Sequence, residues 1–576
     1  MKLNYSQYYD KIMGAWIGKS AGGIIGFKQE NNKNLLDYNF ENVFPEHLPP
    51  NDDFDLQVLY LFEILEKKGI NFSSYDLGQV FAKHNKCWAN EYRIAIDNIN
   101  RGINPPYSGT FNNEYFQNSN GCPIRSEIWA LISPCNPELA KEFAQMDGQI
   151  DHGKESIQAE KLLTAMEAKA FEENDIDKLL DFGLAQIDKE SDLFKSICYV
   201  REARTKKLDW QTVRGELVKK FGSCDASYSV INTSFVVLSL LYGEKDFENS
   251  MLLGVNCGYD TDCTAATVGA ILGLIYGYEK IPAVWKEKIG DVFFAGTADV
   301  DMNRNTYEEI AKITADVGIR LALDGVNRAV EFELADDYVN NIPICENLSP
   351  AAIEYPEGLD KYAILKVGEK EYRTEITKEI VVTDKGKIRK FTIGVIKPAK
   401  YKLYGPFFDC YDTKKYDKDP YNCEQPREAD GSLNLFAMFN GYVDIDNEYL
   451  KDDSTDNVKE DKNFHTLNNL IKIEDQIGYK GPCCCYIERE FVAYEDEECF
   501  LLIGNNDAYK IWLNGELIAW SKESVYWYLQ NNTVVVKLKK GVNKLKVKLI
   551  RRNAPMQISL MFSKKEFGNG VHVNID

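Results

Sequence analysis

The sequence predicts a multidomain α + β protein: an all-α helical domain followed by a mostly β-sandwich C-terminal region. Three observations predict it. A chain of 576 residues is too long for one hydrophobic core and should hold two or three domains. The first ~330 residues carry long helical periods. The rest changes to short β-rich runs between turn residues, such as Lys361–Val367, Lys387–Val395 and Thr533–Leu538. The boundaries fall at 1–330 for the helical domain, 331–405 for a β-rich linking domain and 406–576 for a sandwich-like accessory domain.

The helical part contains two acidic helix entrances. The first, Pro49-Pro50-Asn51-Asp52-Asp53-Phe54-Asp55, opens the amphipathic run Leu56–Leu65. Adjacent like charges repel, so Asp52 and Asp53 beside Asp55 need either a solvated face or a cation. The second lies about two hundred residues on, in Gly258-Tyr259-Asp260-Thr261-Asp262-Cys263-Thr264-Ala265-Ala266. Here two carboxylates stand one residue apart at the mouth of an apolar helix. Gly269, Gly273 and Gly277 then recur every fourth residue, which puts a glycine stripe on one helix face and allows close packing. Oxygen ligands suit magnesium, calcium or manganese rather than zinc. Alone, Asp260 and Asp262 could be capping residues; with two acidic entrances in one helical domain, a shared cation site is the more economical reading. Between them, the Pro105–Gly109 turn cannot continue a helix and, with Asn98 and Arg101, is expected to form a substrate-facing loop.

Taken with Gly14–Gly26, the stretch Gly121–Trp129, Asp151-His152 and Ile281–Trp285, these segments resemble the ADP-ribosylglycohydrolase family, metal-dependent enzymes related to dinitrogenase reductase-activating glycohydrolase. The resemblance runs over roughly residues 8–325, and the order and spacing of the motifs carry it. It implies a helical bundle with two divalent ions, magnesium in the usual case and manganese as the alternative. Carried over, the ligands would be Asn51, Asp52, Asp53, Asp260, Asp262 and Cys263. Asn51 and Cys263 depart from the family's threonines; an amide oxygen can replace a hydroxyl, but a thiol is a soft donor that a hard cation does not prefer. Thr264 sits about 100° further around the helix and is a poor stand-in. The implied catalytic carboxylates are Asp53 and Glu30, and the implied substrate-binding residues are His152, Asn98, Arg125, Gly258 and Tyr259. Asp151 or Glu155 would orient His152. Arg125 has the geometry to bind phosphate, but pairing with a neighbouring acid is the stronger expectation.

The implied activity is hydrolysis of a ribosyl, ADP-ribosyl-like glycosidic bond in a small molecule or an ADP-ribosylated protein. Two alternatives stay open: a glycosidase for a non-nucleotide furanoside or other sugar, and a catalytically weak nucleotide- or glycan-binding homologue. The last ~100 residues resemble the jelly-roll modules attached to carbohydrate-active enzymes. Trp512, Trp520, Tyr526 and Trp527 there would either stack on a sugar or, as alternation along Tyr509-Ile511-Leu513 favours, fill the core. Asn514-Gly515 reads as a hairpin turn. The acidic stretch Asp412–Asp461 reads as a loop excursion. Fourteen cysteines without metal spacing, three of them consecutive at 483–485, suit neither a disulfide framework nor a metal cage. With no apolar leader and no membrane-length apolar run, the expectation is cytoplasmic, with no membrane partner and a homo-oligomer compatible. A net charge of −21 argues against nucleic acid as a partner.

Overall fold

Backbone contact between glycines organises the helical half. In the computed structural model, the helices Tyr5–Gly26 and Thr261–Tyr276 pack antiparallel. A Cβ on Gly18 would lie 2.0 Å from the Gly269 carbonyl oxygen, and one on Gly14 would lie 2.2 Å from that of Gly273. The stripe read from Gly269 and Gly273 therefore meets a matching stripe on the first helix, and any side chain there would force the pair apart. At the end of the contact, Gly26 meets Thr261, whose Oγ1 donates to the Gly26 carbonyl at 2.7 Å. This joint fixes the Asp260–Asp262 turn against the residues that follow Gly26. The structure describes residues 1–87, 89–407, 445–446, 449–460, 462–478, 483–551, 555–565 and 575.

The first acidic entrance opens the helix Asp52–Tyr60, which continues through a π-helical segment, Leu61–Leu65. This run is not amphipathic as expected. Phe54, Tyr60 and nearly every other residue of it are buried, because the helix threads the core between Trp16 on one side and Trp129 on the other. The helical half closes where Lys2–Asn4 pairs in parallel with Glu331–Glu333. No helix of the described residues is long and apolar enough to cross a membrane.

Strands follow. Ala351–Glu354, Ala363–Val367 and Lys370–Thr374 form an antiparallel sheet, and Lys378–Asp384 with Lys387–Ile393 forms a hairpin. Their shared core takes in Ile103 from the helical half. Two antiparallel sheets then stack. One has the order Glu516–Ser521, Tyr509–Leu513, Gly541–Arg551, Cys483–Ala493, Ala399–Phe407, Lys462–Thr466; the other runs Leu470–Lys472, Gln557–Ser563, Glu497–Asn505, Asn532–Leu538. Tyr509, Ile511 and Leu513 face the core, as alternation requires. Asn514 and Gly515 both have positive φ, 53° and 86°, the primed turn that the dipeptide favours. Cys483, Cys484 and Cys485 are buried in one strand, and no disulfide joins the described cysteines. The acidic stretch Asp412–Asp461 lies largely outside the described residues. Within its described part, Asp453 accepts from Lys548 Nζ at 2.7 Å and Tyr486 Oη at 2.6 Å, so the protein itself supplies its counter-charge.

Candidate functional site

The Gly26–Thr261 joint brings the two acidic entrances and Glu30 to one place. Carboxylate or thiol atoms of Asp53, Asp262 and Cys263 lie within 4.8 Å of one another, and so do those of Glu30, Asp260 and Asp262. Asp262 belongs to both groups. Backbone pairing of the Asn31–Asn34 segment with the turn before the helix sets Glu30's position. Asn31 N donates to the Tyr259 carbonyl at 2.8 Å, and Tyr259 N donates to that of Asn32 at 2.9 Å. Gly258 has φ 72°, and a Cβ there would lie 2.3 Å from the Asn34 carbonyl oxygen, so this contact needs glycine.

These acids are not a solvated face, nor do they cap the second helix. Asp53 is 1% exposed and Asp260 and Asp262 are each 3% exposed. Asp260 occupies the cap position of Thr261–Tyr276 without a side-chain cap bond. Asn51 is the residue that caps its own helix: its Oδ1 accepts from Asp53 N at 2.8 Å, while its Nδ2 donates to Asp262 Oδ2 at 3.1 Å. Asp52 Oδ2 lies 3.4 Å from Tyr92 Oη and 3.6 Å from Cys87 Sγ. Among the described residues, Asp53 Oδ2 and Asp262 Oδ1 are buried without a hydrogen-bond partner. The Cys263 thiol is buried beside the carboxylates of Asp53 and Asp262, within 4.8 Å of them. Thr264 instead turns its methyl toward Gly254.

Burial, then the neighbouring acids, pushes Asp260 and Asp262 well above the usual carboxylate range. Burial pushes Asp53 up to about 7 against the opposing pull of Lys19. Glu30 stands at the exposed rim, and desolvation of its carboxyl, with Asp52 and Asp53 nearby, brings it up to about 7. A set of hard oxygen donors with unused lone pairs, whose ionised forms repel one another, is what a divalent cation would complete. The residues present therefore fit such an ion, with Cys263 the one soft donor among them.

Lys19 is the residue that sequence reasoning missed. It sits in mid-helix within an apolar stretch, where nothing local marks it. Its buried ammonium lies 3.0 Å from Glu127 Oε1 and 3.4 Å from Asp53 Oδ1. The Glu127 carboxylate is held on its other side by Gln57 Nε2 at 2.9 Å. One fixed positive charge thus already leans on the cluster.

Several expected substrate contacts take other places. Arg125 is fully buried, with Nε on Asp147, Nη1 on Asp151 and the Gly121 carbonyl, and Nη2 on Asp151. Every nitrogen of the guanidinium is engaged, so no edge is left for a phosphate. His152 is buried beside it, its Nδ1 2.8 Å from Asp151 Oδ1. Asp151 is therefore the orienting acid, while Glu155 accepts from the backbone of Asp192 and Leu193. Asn98 Nδ2 pins the carbonyls of Ser108 and Phe111, and the loop it holds faces the β-rich region: Gly394 N donates to the Gly102 carbonyl at 2.7 Å. The Tyr259 ring is buried under the Arg214 guanidinium, 5.8 Å from the ring centroid. Tyr259 and Gly258 shape the turn rather than line an opening.

The opening lies on the Glu30 side. A cleft of about 650 Å³ runs from Glu30–Asn34 past Glu91 and Asp225 to Tyr526 and Tyr528 of the sandwich. Of the four aromatics singled out from the sequence, Tyr526 reaches this cleft. Trp527 is buried and stacks on Phe116, Trp512 lies under the Lys546 ammonium, and Trp520 is exposed on the edge strand.

The ADP-ribosylglycohydrolase family model matches residues 4–322, more than half of the chain. The chain belongs to the ADP-ribosylglycohydrolase family, hydrolases acting on glycosyl bonds. It is 37% identical over 71 residues to the ADP-ribosylarginine hydrolase Tri1 of Serratia proteamaculans, a match over 12% of this chain and 19% of that protein. With an uncharacterized protein of Archaeoglobus fulgidus it shares 26% identity over 252 residues, 42% of this chain and 75% of the relative. The match to the Serratia protein thus spans about a fifth of its length. A solved chain described as an ADP-ribosylglycohydrolase-related protein complex superposes with a TM-score of 0.37 at 20% identity, over 55% of this chain and 99% of that one.

Proposed function

We propose that this protein is a divalent-metal-dependent glycohydrolase that cleaves a ribosyl, ADP-ribosyl-like glycosidic bond, with ADP-ribosylated arginine in a protein or small molecule as its substrate. The observation that carries the reading is the pair of carboxylate groups sharing Asp262, with buried oxygens of Asp53 and Asp262 left without partners. Asp52, Asp53, Asp260 and Asp262 would hold the cations, with Asn51 and Cys263 at the two remaining positions. Magnesium suits the carboxylates, and Cys263 tilts the preference toward manganese. Divalent ions held there would supply Lewis acidity toward neighbouring ribose hydroxyls.

The chain's own residues supply the proton chemistry and the orientation. Glu30 is the acid–base residue of this reading, because its carboxyl stands at the mouth of the cleft beside Asp260 and Asp262, where it can reach both the opening and the site behind it. Asp53, buried behind it against Lys19, is better suited to ligation than to proton transfer. Asn51 and Tyr92 fix the directions of Asp262 and Asp52. The same reading puts all of the chemistry in residues 1–330 and leaves 331–405 and 406–576 as linking and accessory domains, in a protein that works in the cytoplasm without nucleic acid.

Turnover of an ADP-ribosylated arginine peptide with magnesium or manganese, and then with chelator, tests the proposal. Cleavage that the chelator stops and added metal restores is the expected result. Metal-independent cleavage, or cleavage of aryl furanosides in preference to the peptide, would replace this reading with the furanosidase. Tight metal binding with no turnover would make the chain the catalytically weak homologue, with Asn51 and Cys263 as the departures that account for it.

A further inference from the structure

We infer that Tyr526 and Tyr528 of the β-sandwich form the leaving-group wall of the cleft that opens at Glu30, so that the accessory region selects the substrate. This rests on reading Glu30 and the acids behind it as a glycohydrolase centre.

The wall is a built feature. In Tyr526-Trp527-Tyr528 the middle residue points inward: Trp527 stacks on Phe116 of the helical half at 5.8 Å and donates from Nε1 to Ser559 Oγ at 3.2 Å. The flanking tyrosines of this loop both line the cleft. Asn531 clamps both, its Nδ2 donating to the Tyr526 carbonyl and its Oδ1 accepting from Tyr528 N. Leu529 N reaches across to Asn90 Oδ1 at 3.2 Å, which ties the segment to the helical half. The two rings stand 5.2 Å apart and tilted, with Tyr528 46% exposed, so an aromatic face is open to the cleft.

The rest of the lining is acidic. Glu30, Glu91 and Asp225 belong to it, and the lysine of the lining, Lys33, has its ammonium committed to the Ser223 and Cys224 carbonyls. Carboxyl groups beside tyrosine rings offer acceptors and ring faces to a flat cation and nothing cationic to a diphosphate. The class of group that fits is a guanidinium on the leaving-group side, with the anionic end of the substrate directed elsewhere.

Two measurements on the full chain test this. Agmatine, a free guanidinium, is titrated against wild type and the Tyr526→Ala/Tyr528→Ala double variant by calorimetry. In parallel, KM and kcat are measured for an ADP-ribosylated arginine peptide, and Kd for ADP-ribose. The double variant should weaken agmatine binding and raise KM by about tenfold, with kcat within about twofold and the ADP-ribose Kd at the wild-type value. Tyr528→Phe, which keeps the ring, should restore most of the loss in a Tyr528→Ala background comparison. Unchanged agmatine binding in the double variant, or an equal weakening of ADP-ribose, overturns the assignment. Because agmatine binding is read without turnover, its loss in the variant would uphold the wall even if wild type cleaved nothing, and inactivity of wild type alone would count against the catalytic reading only.

Discussion

Asp147 and Asp151 surround the Arg125 guanidinium with every carboxylate oxygen bonded, to arginine, Tyr60, Trp129 or His152. A short way off in the same helical half, Asp52, Asp53, Asp260 and Asp262 converge on one another with Lys19 as their fixed counter-charge and with oxygens to spare. Both groups are buried acids. The first is complete without help: planar guanidinium geometry satisfies two carboxylates at once, so the network acts as a brace. The second is incomplete, and like charges gathered in a low dielectric are tolerated only if protonated or joined by a cation. Completeness of carboxylate hydrogen bonding, rather than burial or charge, is what separates these two clusters.

The largest expected effect breaks the open cluster. Asp52→Ala and Asp260→Ala should each abolish metal binding and reduce turnover to the chelated level, while circular dichroism shows the helices intact. Each change removes a repelling charge, so the metal-free melting temperature should hold or rise, and the stabilisation that magnesium gives wild type should vanish. Calorimetric titration and melting with and without metal decide it, and full metal affinity in either variant would remove the site.

The closed network should answer in the opposite way. Arg125→Met leaves two buried carboxylates facing each other, a loss of about 3–5 kcal/mol in folding stability. Activity should fall in proportion to the folded fraction, with the metal affinity of the folded protein retained. Denaturant unfolding measures the first, and titration below the melting transition measures the second. A stable Arg125→Met protein that no longer binds substrate would make Arg125 a ligand-binding residue after all.

The two clusters were unequally legible in the sequence. Acids at a helix mouth, a glycine every fourth residue and the Asn514-Gly515 turn are local patterns, and each takes the place its spacing implies. Lys19 and Glu127 could not be read, because each is a single polar residue in a helical run and their 3.0 Å contact joins segments more than a hundred residues apart. Arg125 pairs with acids, as its neighbourhood suggests, but its partners Asp147 and Asp151 and the burial of Asn98 and Tyr259 are set by tertiary contacts that no sequence pattern marks. The tyrosine wall depends on a sandwich loop meeting a helical domain some four hundred residues earlier, a placement that only tertiary packing defines.

A smaller effect tests the closed network by pH. Burial alone would raise Asp151, but Arg125 and His152 overcome it and hold the carboxyl down at about 2. A group depressed below its unfolded value near 3.8 contributes stability above that value and loses it as pH falls toward 2. The contribution is about 2 kcal/mol. Asp151→Asn should therefore be less stable than wild type at pH 6, with the gap shrinking from about pH 5 downward. A gap independent of pH would show that the bond geometry, not the charge, carries the stabilisation.

The smallest effect sharpens the open cluster at its one soft donor. Cys263 shares a group with Asp53 and Asp262, whose partnerless oxygens would be acceptors within reach of a threonine hydroxyl there. A hydroxyl oxygen is also the harder ligand. Cys263→Thr should then tighten magnesium several-fold relative to manganese, raise turnover at low magnesium and leave the melting temperature near that of wild type. Had the thiol pointed into helix packing, the same change would bury an unpaired hydroxyl at a cost of about 1–3 kcal/mol. Magnesium and manganese affinities measured beside the melting temperature separate the two. A lowered melting temperature with an unaltered metal preference would reject Cys263 as a ligand and leave Asp53 and Asp262 to hold that side of the site, with Lys19 between Asp53 and Glu127.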